Sequence, residues 1–269
     1  MPREWTTATR NPHATPARQP GRRTVPVIRV QALADTIIEL TLQDAHTART
    51  ARPGQFVMLY THDQSRLMPR PFGVAGTNGD TFTIIFAIVG EGTRQFSTLR
   101  EGDTIDMLGP LGGQAFNLDQ PGDYLLVGGG LGIPPLLYAA QRLAAKPDTR
   151  TTAILGYRDT RYADTRMQTH TPHTHSITNA QGDVLTLLNT LEPNPNPDQP
   201  LTILTCGPKP MMQAVHQWAQ THNANCQTCM EQRMGCGYGA CVACTIPTIH
   251  GNTKTCTEGP VFPSTTIIW

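Results

Sequence analysis

Two different periods run along this chain. Between residues 25 and 118, short runs of Val, Ile, Thr and aromatic residues (25–30, 36–42, 55–61, 81–89 and 104–108) are separated by turn formers: Asp35, Pro53–Gly54, Asn78-Gly79-Asp80, Gly102–Asp103 and Gly109–Pro110. Such runs predict strands, and the Asn78–Gly79 pair between two of them predicts a hairpin. Only 93–100, following Gly90-Glu91-Gly92, predicts a helix in this part. Several short strands at this spacing predict a small barrel or sandwich. From Asp123 the pattern changes. Apolar runs at 124–127, 152–155, 176–178 and 201–205 alternate with helical stretches: one ending at Leu143, then 184–191 and 209–219. Strands alternating with helices predict a parallel sheet with crossover connections. The fold expected is a β barrel at 25–118 followed by an α/β domain at 121–220. Residues 226–269, rich in Cys, Gly and Thr, have no long period and are expected to fold around a metal.

Composition narrows the function. The 269 residues suit about two domains. Charged residues make up 15% and the formal net charge is +1, which leaves no electrostatic footprint for nucleic acid or an anionic membrane. The uncharged stretch 124–140 contains four glycines and Pro134–Pro135 and is shorter than the ~20 apolar residues of a bilayer-crossing helix. Residues 1–24 hold five Arg and four Pro without the apolar core of a signal peptide. They read as a disordered tail, and the protein as cytoplasmic.

Six of the seven cysteines lie between Cys226 and Cys256. A secreted disulfide scaffold would spread them; a cluster at one end reads as a metal site. Cys236-x4-Cys241-x2-Cys244, with Cys256 after eleven intervening residues, has plant-type [2Fe-2S] ligand spacing. Gly235, Gly237 and Gly239 let such a loop curl, and loop amides then point at the sulfides. The competing reading is zinc held by Cys226-x2-Cys229 and Cys241-x2-Cys244, which strands Cys236 and Cys256. Under the iron–sulfur reading Cys226 and Cys229 have no role.

Gly128-Gly129-Gly130-x-Gly132-x-Pro134 follows a strand and opens a helix, the context in which a dinucleotide phosphate approaches the backbone. Close strand-to-helix packing is the alternative use of these glycines. Cys206-Gly207-Pro208 follows the 201–205 strand, at the carboxyl end where ligands bind in an open parallel sheet. Arg70-Pro71-Phe72-Gly73 is an extended segment whose arginine can pair with a phosphate. Gly92-Thr93 opens a helix that can offer donors to a pyrophosphate.

Taken in order, these motifs resemble the ferredoxin-reductase superfamily. More narrowly, Glu231-Gln232-Arg233-Met234-Gly235-Cys236-Gly237-Tyr238-Gly239-Ala240-Cys241, with Gly259-Pro260-Val261-Phe262 after the last cysteine, resembles the electron-transfer subunits of NAD-dependent dihydroorotate dehydrogenases. The resemblance covers about residues 25–269. It implies FAD between barrel and nucleotide domain, a [2Fe-2S] cluster on Cys236, Cys241, Cys244 and Cys256, and an FMN-containing catalytic subunit as partner in a heterotetramer that oxidises dihydroorotate. It further implies that Arg70, Pro71, Phe72 and Gly73 line the flavin, that Ile85, Phe86 and Ala87 run beside it, and that Gly92 and Thr93 hold its pyrophosphate. Gly128, Gly129, Gly130, Gly132 and Pro134 would take NAD, with Cys206, Gly207 and Pro208 near the nicotinamide. Two positions depart from the family: Gly73 stands where Ser or Thr is usual, and Phe86-Ala87 where an aromatic–Arg pair is common. A reductase subunit serving an oxygenase, a hydrogenase or a sulfur enzyme is the alternative assignment. NAD against NADP stays open, because Tyr157-Arg158-Asp159 offers an arginine for a 2′-phosphate and an aspartate for a free ribose. The nine histidines lie mostly on polar stretches such as 170–175, and no catalytic residue is assigned.

Overall fold

In the computed structural model, residues 21–63, 65, 67–191 and 201–269 are described. The tail expected at 1–24 lies mostly outside them, but its last residues are ordered. Strand β1 (Arg23–Ala34) starts two residues before the expected boundary, with Arg23 pairing across to Met107. It is followed by β2 (Ile37–Gln43), helix α1 (Ala45–Thr50), β3 (Phe56–Tyr60), β4 (Arg70–Asn78), β5 (Thr81–Ala87), α2 (Glu91–Ser97) and β6 (Thr104–Leu111). The six strands close into a barrel in the order β1-β2-β5-β4-β3-β6. The predicted hairpin at Asn78–Gly79 joins β4 to β5, with Asn78 opposite Thr81. Strand β4 itself has no strand signature in sequence. It carries Pro71, Gly73 and Gly76, and it makes one ladder with β3 through Arg70–Gly73 and another with β5 from Val74 on. A proline is tolerated there because each end of the strand is paired on one side only.

The second domain runs β7 (Gly122–Gly129), α3 (Ile133–Leu143), β8 (Thr149–Tyr157), α4 (Asp164–Gln168), β9 (His173–Thr178), α5 (Val184–Leu191), β10 (Leu201–Cys206), α6 (Lys209–Thr221) and β11 (Asn225–Cys229). Its sheet is parallel in the order β11-β10-β7-β8-β9, with the short β14 (Val261–Pro263) antiparallel beside β11. This corrects the expected boundary between domain and cluster segment. Residues 225–229 are the fifth parallel strand and 261–263 its edge. The Cys-x2-Cys pattern reads as ligands or spares, while the pairing that makes it a strand is contributed by β10. What remains between them is the cluster loop, a hairpin of β12 (Thr245–Thr248) and β13 (Gly251–Lys254), and the turn α7 (Thr255–Glu258).

Helix α3 explains the long uncharged stretch at 124–140. Nine of its eleven residues are buried, all but Gln141 and Arg142, because it lies between the sheet and the barrel. A helix that is apolar all round is one that is covered all round. Tyr138 enters the barrel core and donates its hydroxyl to the Ala51 carbonyl at 2.7 Å. Gln141 makes two bonds with the Thr77 backbone, accepting at 3.1 Å and donating at 2.8 Å. Among the described residues no helix is long and apolar enough to cross a membrane.

Arg166, from α4, ties the domains a second time. It ion-pairs with Glu39 of β2 and donates to the Thr83 hydroxyl of β5 at 2.8 Å. Glu39 is 8% exposed, so removing the guanidinium leaves a carboxylate largely cut off from water. Arg166→Met is expected to cost about 2 kcal/mol, below the 3–5 of a fully buried pair because the arginine keeps some solvent contact. A urea midpoint unchanged from the parent protein would contradict this.

Candidate functional site

The parallel sheet reverses its order between β7 and β10, and Cys206, the last residue of β10, is the register partner of Gly128, one residue before the end of β7. Ligands bind outside the carboxyl ends of strands at such a switch point. The glycine loop and Cys206-Gly207-Pro208, separate motifs in sequence, are therefore one place.

The glycines there do different jobs. A Cβ on Gly128 would lie 2.8 Å from Leu136 Cδ1, one on Gly129 2.5 Å from the Met211 sulfur, and one on Gly132 2.2 Å from the Cys206 carbonyl oxygen. These three serve close packing. Gly130 alone has a positive φ, 52°, and open space where a Cβ would be. The helix start also differs from a simple phosphate cradle. Pro134 and Pro135 occupy the first turn of α3 and carry no N–H, and the Ile133 N–H already donates to the Gly130 carbonyl. This end contributes dipole and shape more than free donors.

A cleft of about 310 Å³ opens between the barrel and this switch point. Its barrel wall holds Arg70, Pro71, Phe72 and Gly73 of β4, Ile85, Phe86 and Ala87 of β5, and Thr93 of α2; Pro134 and Cys206 stand opposite. Gly92 lies beneath the Arg70 guanidinium, where a Cβ would be 2.4 Å from Nε. The Thr93 hydroxyl accepts from the Val89 and Gly90 N–H groups at 2.9 and 3.1 Å and donates to the Gly90 carbonyl at 2.9 Å. It fixes the start of α2. Gly207 packs on Gly129, and Pro208 does likewise behind the loop. A Cβ on Gly73 would come within 2.9 Å of Pro135 Cγ. The departure from Ser or Thr at this position thus goes with the close seating of α3 on β4.

Cys229, weighed in sequence only as a zinc ligand, also lines the cleft, and so do Gly54, Phe56 and Met230, which sequence reasoning missed. Nothing local marks them, since long-range pairing brings them in. Glu231, Met234 and Pro260, quoted only as parts of the cysteine-loop and Gly-Pro-Val-Phe motifs, line it too.

The loop carrying the remaining cysteines packs on β3 and β6. Cys244 and Cys256 are buried with Phe56, Met58 and Leu111, and Met234 packs against them. The thiols are arranged as two neighbouring pairs, Cys236 with Cys241 and Cys244 with Cys256. Gly237 and Gly239 hold φ values of 82° and 89°, the left-handed turns that let consecutive amides face inward. The Cys241 N–H points at Cys236 Sγ from 3.4 Å. Burial works against ionisation of Cys236, but N–H groups of Cys241, Tyr238 and Ala240 bring its pKa down to about 7. In the second pair burial also opposes ionisation, yet the Cys256 N–H and thiol hold Cys244 below the ordinary thiol value, and Cys256 is pushed up. Two adjacent thiols sharing one negative charge are a donor set suited to a cation. The donors fit an iron–sulfur group bound through two sulfur pairs.

At the other end of the cleft, Cys206 Sγ lies 3.8 Å from Glu231 Oε1. Glu231 is open to solvent through the cleft mouth and enclosed elsewhere, and this partial burial raises its carboxyl above the usual range. Tyr162, half-buried with its ring beside Tyr157, donates to the Gly130 carbonyl at 2.8 Å and holds the loop in place.

Residues 231–268 match the family model for the iron–sulfur cluster binding domain of dihydroorotate dehydrogenase B. A protein of Listeria monocytogenes named dihydroorotate dehydrogenase B (NAD(+)), electron transfer subunit, is 37% identical over 250 residues, which is 88% of this chain and 94% of that one. A Streptococcus pneumoniae protein of the same name is 31% identical over 258 residues, covering 91% of this chain and 98% of its own. Among solved structures, that of an NADH-dependent reduced ferredoxin–NADP oxidoreductase, described for flavin-based electron bifurcation, aligns with TM-score 0.81 at 25% identity, over 91% of this chain and 90% of that one. The ferredoxin–NADP+ reductase of Plasmodium falciparum aligns with TM-score 0.60 at 14% identity, over 75% of this chain and 91% of its own, a likeness of fold.

Proposed function

The chain belongs to the family of dihydroorotate dehydrogenase B electron-transfer subunits, and from that premise we propose the path its residues provide: electrons enter from a dihydroorotate-oxidising subunit, pass through a [2Fe-2S] cluster and FAD, and leave on NAD+. The observation that carries this path is that Phe56 and Met234 belong to two places at once. Both line the cleft, and both pack with Cys244 and Cys256. Cluster and flavin would thus be separated by one layer of side chains.

Cys236 and Cys241 would hold one iron, Cys244 and Cys256 the other. Pro71, Phe72 and Gly73 would face the flavin ring together with Ile85, Phe86 and Ala87, and Arg70 on Gly92, beside Thr93 at the start of α2, would meet its phosphates. NAD would enter at Gly130, with Pro134 and the Cys206-Gly207-Pro208 turn below the nicotinamide. FAD, when bound, converts between single electrons and a hydride, the step the chain's own side chains cannot perform. The partner is an FMN-containing catalytic subunit in a heterotetramer. The compartment is the cytoplasm: all seven cysteines are free, and ligand thiols need a reducing environment.

The test is the complex co-purified with its catalytic subunit. Flavin absorption, iron with acid-labile sulfide in equal amounts, the EPR signal of a reduced [2Fe-2S] centre and dihydroorotate-dependent NADH formation are expected together. Zinc without iron or sulfide would overturn the reading.

A further inference from the structure

Cys229 has no role in this path, and the fold places it against Cys206. The two are register partners on adjacent parallel strands. Strand neighbours lie ~4.7–4.9 Å apart, inside the ~4.4–6.8 Å Cα separation that a disulfide spans. Register partners also point to the same face. Their thiols are close enough for Cys229 to raise the pKa of Cys206, and both residues line the cleft. Cys226, three positions earlier on the same strand, packs on the opposite side of the sheet with Val215 and Trp218 and cannot join them. Cys229 Sγ reaches the Gly54 carbonyl at 3.8 Å, while Cys206 Sγ faces Glu231.

We propose that Cys206 and Cys229 are an oxidative modification site, closing to a reversible disulfide on the cleft floor when the protein meets a peroxide. The thiol of Cys229 takes one peroxide oxygen, becoming a sulfenic acid and releasing water. The Cys206 sulfur then displaces the hydroxyl as a second water, its own proton leaving by way of the Glu231 carboxylate. In sum, two thiols and one hydrogen peroxide give one disulfide and two waters. The order follows from the site: contact with Cys229, burial and the Glu231 charge all keep Cys206 protonated, so it is the poorer first nucleophile. Closure ties β10 to β11 directly below the segment that carries Glu231 and removes the S–H that Cys206 presents to it. The consequence for turnover rests on the cleft being the flavin and nucleotide site; the bond itself does not.

The experiment titrates the purified complex with hydrogen peroxide up to one equivalent, following cluster absorbance as a control. Peptide mapping without reductant is expected to yield a 206–229 cross-link that dithiothreitol reverses. NADH-to-ferricyanide activity is expected to fall about tenfold and to return with dithiothreitol, less than the ~100-fold that a 1 Å misplacement of reacting groups can cost. In Cys206→Ser, dimedone should trap a sulfenic acid at Cys229. In Cys229→Ser and Cys229→Ala, activity measured against each variant's own reduced rate should resist peroxide. Thiols 206 and 229 that stay alkylatable, or oxidise separately without linking, overturn the site. A cross-link that leaves the rate unchanged, or equal loss in the Cys229 variants, overturns its consequence while the flavin and iron contents still report on the proposed function.

Discussion

Cys244→Ser removes electron delivery from the catalytic subunit, with dihydroorotate-dependent NAD+ reduction falling by more than about 100-fold, beyond what loss of an outer-shell partner causes. Cys244 is 1% exposed and packed against Phe56 and Met58. Its carbonyl accepts from both the N–H and the hydroxyl of Thr255 at 3.1 and 3.0 Å, which fixes it next to Cys256. Serine fills nearly the same volume, so the backbone arrangement survives, but a hydroxyl does not ionise near neutral pH as a thiol does. An iron held by that pair would be left with one protein sulfur. NADH should still reduce the flavin, because the cleft walls are untouched, and ferricyanide reduction separates the two halves of the path. Cys226→Ser is the comparison: it lies on β11, away from the loop, and should retain iron and sulfide in full. A parent protein that holds zinc in place of iron, and loses it equally in both variants, would favour the zinc arrangement that includes Cys226.

The second large effect is expected at Gly132. A Cβ there would sit 2.2 Å from the Cys206 carbonyl oxygen, 2.3 Å from its carbon and 2.4 Å from the Gly207 nitrogen. All three are backbone atoms at the end of a central strand, so no side-chain rotation relieves the overlap. Overpacking an ordinary core costs ~1–3 kcal/mol; here the cost for Gly132→Val should reach or exceed the top of that range, a large share of the ~5–15 kcal/mol that holds a domain folded. Gly130→Ala is the contrast. Its Cβ would meet nothing within 4 Å, and the charge is about 1–2 kcal/mol for the left-handed φ alone. Urea midpoints compare the two, and KM for NADH reports on the mouth of the site. A Gly132→Val protein with the parent's midpoint would show that the β7 and β10 ends part more easily than their register suggests.

Much of the architecture was legible because its signals are local. Alternating apolar runs between turn formers marked most barrel strands, and the change of period at Asp123 marked the second domain. Strand β4 was not legible as a strand: Pro71, Gly73 and Gly76 weaken it locally, and it exists through β3, β5 and the helix pressed on it. Strand β11 was hidden for a related reason. Asn225–Cys229 has two cysteines and three polar residues in five positions, and only the ladder to β10 makes it part of the sheet. In the site, Arg70, Phe72 and Cys206 were reached through motifs, whereas Phe56 and Met230 carry no motif at all.

The sequence by itself determined the ligand spacing of the four loop cysteines, the order of the three parts and the family, since these depend on residue identity at fixed separations along one chain. The tertiary structure alone decided which glycines pack and which one leaves an opening, why Gly73 carries no side chain, and that Phe56 and Met234 join the cleft to the cysteine loop. It also brought Cys206 and Cys229 side by side, 23 positions apart in sequence. Each of these is a contact between elements distant in the chain. Their closeness is set by sheet register and by the seating of α3 against the barrel, neither of which any short stretch of residues encodes.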